Sequence, residues 1–172
     1  MNMTPGLRKI ALIAHVTVSV GWLGAVVAYL VLAVTALASQ DAQTVRSAWI
    51  AMELTGWFAI VPLALASLLT GVVQSLGTIW GLFRHYWVLF KLVLTAFATV
   101  ILLLHMPSVT FLAGVAAKTD TAGLGGLPSE IIHPVGGLLV LLVTTILAVY
   151  KPRGITPYGW RKQYEQRKVS QP

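Results

Sequence analysis

The chain contains no cysteine. That excludes disulfides, thiolate metal sites, iron–sulfur clusters and a covalently attached c-type haem, so any haem here is non-covalent. Charge is nearly as scarce. Only 10% of the 172 residues are Asp, Glu, Lys or Arg, against about a quarter in a soluble domain of this length. Acidic groups are the rarest, 5 against 12 basic ones. No phosphate-binding loop, HExxH helix or nucleophile motif occurs, which leaves hydrolase and nucleotide-driven chemistry without support.

Hydrophobic residues make up 57% of the chain, and the charges avoid the apolar runs. The solvent for most of this protein is therefore lipid. The net charge of +7 would suggest nucleic acid in a soluble protein. Here the bilayer is the expected partner, because cytoplasmic loops of membrane proteins collect Lys and Arg.

Four apolar runs are legible, at about 10–38, 48–75, 86–106 and 131–150. They predict an all-α integral membrane four-helix bundle, one domain over 1–150, followed by a basic tail over 151–172 at the membrane surface. The first run follows Arg8 and Lys9 as a signal peptide would. It is much longer than the roughly 7–15 apolar residues of such a segment, and so reads as a span. Pro62 predicts a kink in the second helix, and Pro107 predicts an end or sharp bend of the third. Trp80, Tyr86 and Trp87 read as an aromatic belt at a membrane surface.

The basic residues are distributed unevenly. Arg8, Lys9, Arg84, Lys91, Lys151, Arg153, Arg161, Lys162, Arg167 and Lys168 fall on one side of the four spans. Arg46 and Lys118 fall on the other, beside Asp41, Asp120 and Glu130. The expectation is a bacterial cytoplasmic-membrane protein with both termini in the cytoplasm.

The histidines then divide into an inner pair, His15 with His85, and an outer pair, His105 with His133. At about 100° per residue, Lys91 and His105 lie on one stripe of the third helix. His15 shares a face with Ser19, Trp22 and Tyr29. Glu53, Gly56, Ile60, Ala64, Ser67, Gly71 and Gln74 line the second helix, and His133, Gly137, Val140 and Thr144 the fourth. Such small and polar faces point inward in a membrane bundle.

Imidazoles near both surfaces suit axial ligation of one or two b-type haems, with Lys91 available to a propionate. His15, His105 and His133 are equally candidate ligands for a metal ion. Met106 beside His105 adds a soft donor of the kind that copper takes. Glu53 and Lys91 are ionisable groups within apolar runs and so are candidates in their own right.

The first helix, with His15 followed by Trp22-Leu23-Gly24, and the third, with Trp87, Lys91-Leu92 and His105, resemble a group of small bacterial membrane proteins. The group includes HemJ-type protoporphyrinogen oxidases, the membrane domain of CopD-type copper-resistance proteins and related integral membrane proteins of unknown function. The whole chain, with WGLFRHYWVLFKL at its centre, looks most like the last kind. The HemJ resemblance implies haem at His15 and an important Lys91. The four-helix layout with two histidine layers is also similar to that of small dihaem cytochromes b, which implies electron transfer between quinone and a redox protein. The expected function is haem-dependent redox chemistry or transmembrane electron transfer. The alternative is a non-enzymatic membrane module: an accessory subunit of a larger complex, or a small copper-handling protein, alone or as a homo-oligomer.

Overall fold

A computed structural model describes the chain apart from residues 1–2, 79–80, 120–123, 125 and 171–172, and apart from the side chains of 166, 167, 169 and 170. Trp80 of the expected aromatic belt, Asp120 and the Arg167 side chain of the charge count lie outside the described residues. The described residues form helices α1 (Pro5–Ala38), α2 (Ala42–Thr55), a π-helical turn (Gly56–Ile60), α3 (Val61–Leu76), α4 (Tyr86–Lys118), α5 (Ile132–Tyr150) and α6 (Pro157–Ser170). Four helical stretches are long and apolar enough to cross a membrane: α1, α2 through α3, α4 and α5. The most exposed faces carry residues such as Phe58, Leu104, Phe111 and Val149, which suits contact with lipid.

Local chemistry sets the helix ends. Thr4 caps α1, accepting from the Leu7 amide, and Pro5 follows it in the first turn, where a missing N–H is harmless. Asp41 caps α2: its Oδ2 accepts from the Thr44 amide at 2.8 Å and the Thr44 hydroxyl at 2.6 Å. These bonds hold the Asp41 carboxyl below the usual carboxylate range. The cap also corrects the boundary read from hydropathy. The second span starts at Ala42 rather than near Ala48, because Asp41 nucleates a turn whose residues are too polar to register as an apolar run.

The two prolines have different consequences. Ahead of Pro62 the helix widens into the π turn, where the Val61 amide reaches Gly56 O. A proline ring crowds the carbonyl four residues earlier, and the wider turn makes room for it. Pro107 neither ends α4 nor separates a second segment, since the helix runs on to Lys118. Beyond the proline, Val109, Ala113 and Ala116 are fully packed, and α2 lies against α4. Arg46 of α2 then closes the helix: Nε donates to Ala116 O at 3.0 Å and a terminal nitrogen donates to Thr119 O at 2.9 Å. A cation on the last carbonyls also suits the helix dipole. This packing offsets the single backbone bond that the proline removes.

The spans pack in a ring in chain order. α1 contacts α2 and α3, these contact α4, α4 contacts α5, and α5 returns to α1. Met3 lies against Gly77, and an antiparallel bridge joins His85 to Ile155. The start of the chain, the α3–α4 connection and the tail therefore share one end. α6 is seated there: Thr156 N–H donates to Arg84 O at 3.0 Å and its hydroxyl to Phe83 O at 2.5 Å.

At the opposite end the lengths differ. α4 has 33 residues and α5 only 19. At 1.5 Å per residue these are about 50 Å and about 28 Å. α5 begins well short of the end of α4, and Glu130 just ahead of it meets His105, which lies 13 residues before the end of α4. That is about 20 Å along the helix. A buried acid is thereby carried down to the level of a mid-helix imidazole.

Candidate functional site

The outer histidines do come together. The rings of His105 and His133 stack with centroids 3.5 Å apart and planes 17° from parallel. Glu130 bridges them. Its Oε2 is 2.6 Å from His105 Nε2 and 3.6 Å from His133 Nδ1. One ligand-type atom from each of the three residues lies within 4.8 Å of the others. The side chains of Glu130 and His105 are only 7% and 13% exposed, whereas His133 is 46% exposed. One face of the cluster is thus open.

Each partner is placed by its element. His105 rides on α4, one residue before the fully buried Met106. His133 lies in the first turn of α5, just ahead of Pro134. Glu130 lies just before α5, three residues ahead of His133. It entered the sequence reading only as a loop charge. The signal that would have found it is the spacing Glu-x-x-His, which puts an acid and an imidazole side by side where helical turns continue, a pattern used in carboxylate metal bundles.

Stacked rings sharing a carboxylate are not arranged as two axial haem ligands. Axial imidazoles point their nitrogens at an iron between them, with the porphyrin plane separating the rings. A haem held between His105 and His133 does not fit this geometry. Met106 also turns from the role considered for it. Its sulfur and terminal carbon pack on Gly56, a full helical step round from His105, so the three-residue cluster has only nitrogen and oxygen donors.

Residues of the cluster line two cavities. One, of about 320 Å³, is lined by Ala33, Gln40, Trp49, Met52, Ser129 and Glu130, among others. The other, of about 300 Å³, is an apolar cleft between α1, α4 and α5 with His105 and His133 in its wall. Glu130 lines the first and His105 the second, and the two side chains are hydrogen-bonded. Trp22 and Tyr29 also line the cleft. Trp22 Nε1 and the Tyr29 hydroxyl are buried with no partner among the described residues.

The inner candidates are held separately. His15 Nδ1 lies 3.0 Å from Thr70 Oγ1, and the Thr70 hydroxyl donates to Ala66 O at 2.7 Å. Its one hydrogen being committed, Thr70 accepts from His15 Nδ1–H. That leaves the lone pair on Nε2. The ring rests on Gly71, where a Cβ would fall 3.1 Å from His15 Cε1. One turn along, Ser19 and Ser67 bond at 2.9 Å, so the polar stripes of α1 and α3 do meet. The Lys91 charge reaches both His15 and Lys151, and its Nζ stands 5.7 Å from the Trp87 ring centroid. His85 immediately precedes α4 and is placed by its backbone bridge to Ile155. Glu53 lies on α2, half-buried, one turn before the π segment, and is not part of the His105–Glu130–His133 group.

The chain matches no protein-family model, no curated protein and no solved structure.

Proposed function

We propose that this chain is a multi-pass protein of the bacterial cytoplasmic membrane that binds a transition-metal ion at His105, Glu130 and His133. The observation that supports this reading is the convergence of two imidazoles and one carboxylate within 4.8 Å, the carboxylate buried, His105 partly buried and His133 exposed. The excess of Lys and Arg at the end shared by both termini orients that end to the cytoplasm, and the cluster then lies toward the outer face. Imidazole with carboxylate suits Zn²⁺, Fe²⁺, Ni²⁺ or Cu²⁺, and the lack of a sulfur donor speaks against Cu⁺. Three protein ligands leave at least one position open, the mark of a site that exchanges or activates something. Glu130 keeps His105 oriented before an ion arrives, as outer carboxylates do for ligand imidazoles.

The test is a titration of detergent-purified, chelator-treated protein with Co²⁺, read by its visible absorption, followed by competition with Zn²⁺. One ion per chain is expected, with binding weakened at least tenfold in His105→Ala, Glu130→Gln and His133→Ala. Folded protein that binds no Co²⁺, or binds it equally after all three substitutions, overturns the reading.

The tautomer of His15 favours a second reading, haem b at the inner layer. A bond at Nδ1 with a bare Nε2 is the state of an imidazole that ligates through Nε2. The nearby Lys91 ammonium would suit a propionate. A bound haem would supply one-electron chemistry, in keeping with the resemblance to HemJ-type proteins. A reduced-minus-oxidised absorption spectrum decides this. Sharp α and β bands lost in His15→Ala support it, and a colourless protein from haem-supplemented cells refutes it.

A further inference from the structure

We infer that one anionic phospholipid binds along α4 and α5, its phosphate between Lys91 and Lys151 and an acyl chain running from there toward the apolar cleft.

Lys91 is a cation among cations. It lies in the second turn of α4, half-buried, and its charge reaches both Lys151 at the end of α5 and His15 on α1. Its Nζ stands 5.7 Å from the Trp87 ring centroid and pairs with no carboxylate among the described residues. Glu165 is the one described acid at this end of the bundle, and Lys162 holds it at 2.9 Å. Two ammonium groups brought together at the edge of a bilayer repel each other, and an anion between them reverses the sign of the interaction.

The backbone sets the second lysine where it does. Lys151 ends α5 in the left-handed conformation, φ 44°, and is the one described residue other than glycine with a positive φ. Helix ends usually give this turn to glycine, because a Cβ is crowded there. A lysine in that place adds a charge where glycine would supply only the turn. The chain then folds back onto the start of α4, where the Tyr86 amide donates to Gly154 O at 3.4 Å. That bond ties together the two helix ends that carry the lysines.

The cleft selects among anions. Ala98 and Leu102 share the Lys91 stripe of α4 at about 100° per residue and line the cleft, as Val140 does from α5. At 1.5 Å per residue, Leu102 is about 16 Å from Lys91 and Val140 about 16 Å from Lys151. The acyl layer of one leaflet is about 15 Å deep, half of a hydrocarbon core of about 30 Å. A phosphate on the lysines therefore brings its own chain to the level of the cleft. Phe90, Val93 and Phe97 are exposed along α4, so the lipid enters sideways from its leaflet. Basic pockets between spans suit anionic headgroups in this way.

The inference is independent of an ion at the outer cluster. Delipidated, haem-free full chain in detergent is mixed with dioleoyl phosphatidylglycerol or dioleoyl phosphatidylcholine, with EDTA throughout. Native mass spectrometry counts the bound lipid. One phosphatidylglycerol per chain is expected, held at least tenfold more tightly than phosphatidylcholine. Lys91→Gln and Lys151→Gln should each remove that preference. Lys91→Arg should keep it, as should Lys168→Gln on α6. Lys151→Gln, at an exposed helix end, carries the test should Lys91→Gln fail to fold. Co²⁺ binding in Lys91→Gln should match the parent, which separates this site from the metal cluster. Equal affinity for the two lipids overturns the inference, as does an undiminished preference in a folded Lys91→Gln or Lys151→Gln chain. Displacement of the lipid by glycerol 3-phosphate also overturns it, since the lysines would then serve a water-soluble anion.

Discussion

A Cβ on Gly56 would fall 2.5 Å from Cε of Met106 and 2.7 Å from its sulfur. The first residue of the π turn and the residue beside His105 are thus in direct contact across the second and third spans. The absence of a side chain at 56 seats Met106, which is 1% exposed, and so sets the turn of α4 that carries the cluster.

Gly56→Ala is therefore expected to destabilise the protein by roughly 1–3 kcal/mol through overpacking. Met106→Ala should destabilise it by about 2–5 kcal/mol through the space left behind. The double variant should be less unstable than the sum, because the shortened side chain admits the new methyl group. Thermal unfolding in one detergent measures all three. Strict additivity would mean the two positions do not touch.

The bond between His15 and Thr70 makes a sharper prediction about polarity inside the spans. Thr70→Val keeps the shape but strands an imidazole N–H, at about 1–3 kcal/mol. Thr70→Ser keeps the acceptor and should remain near parental stability. Equal effects from the two substitutions would show that the hydroxyl does not hold His15.

Arg46 is expected to hold the end of α4 without shaping the cluster. Arg46→Ala removes two charge-assisted bonds to carbonyls, together about 1.5–3 kcal/mol. Hydrogen exchange should accelerate over the last turns of α4 and stay slow around His105. Co²⁺ affinity should not change. Uniform acceleration along α4 would place the role of Arg46 elsewhere.

The Asp41 cap introduces a pH dependence whose sign is set. Its carboxyl titrates lower in the folded chain than in the unfolded one, chiefly through the Thr44 hydroxyl and then the Thr44 amide. The cap therefore contributes fully above the unfolded value, near 3.9. Its contribution disappears as the pH falls through the depressed folded value. Asp41→Asn should flatten this part of the melting-temperature profile below about pH 4. A variant whose profile follows the parent throughout assigns the acid sensitivity to other groups.

The cysteine-free chain permits a direct test of orientation. Ser129→Cys should react with a membrane-impermeant maleimide on intact cells whose outer membrane has been permeabilised. Arg161→Cys on α6 should react only after lysis. The reverse pattern would place the cluster on the cytoplasmic side.

Much of the architecture could be read from the chain because burial in lipid is a local and nearly additive property. The four apolar runs became four membrane-length helical stretches, and the stripe through His15, Ser19, Trp22 and Tyr29 does face neighbours. Trp22 and Tyr29 are buried, while His15 and Ser19 find Thr70 and Ser67. Boundaries were less legible. Hydropathy cannot see a cap such as Asp41. Proline at 107 signals a break whose outcome depends on what the helix beyond it packs against.

By itself, the sequence determined the all-helical class, the number of membrane-length stretches, the sidedness of the charges and the exclusion of thiolate chemistry. Each follows from residue type and short-range period. Tertiary structure alone decided that α4 continues past Pro107, that Met106 faces Gly56 rather than a metal, and that His105 and His133 stack instead of facing one another across a haem. It also decided that Glu130 lies between the two histidines. Glu130 and His105 are 25 residues apart, and their meeting depends on α5 beginning well below the end of α4. No periodicity encodes such a meeting, because it arises from how far each helix extends and where the chain between them turns back.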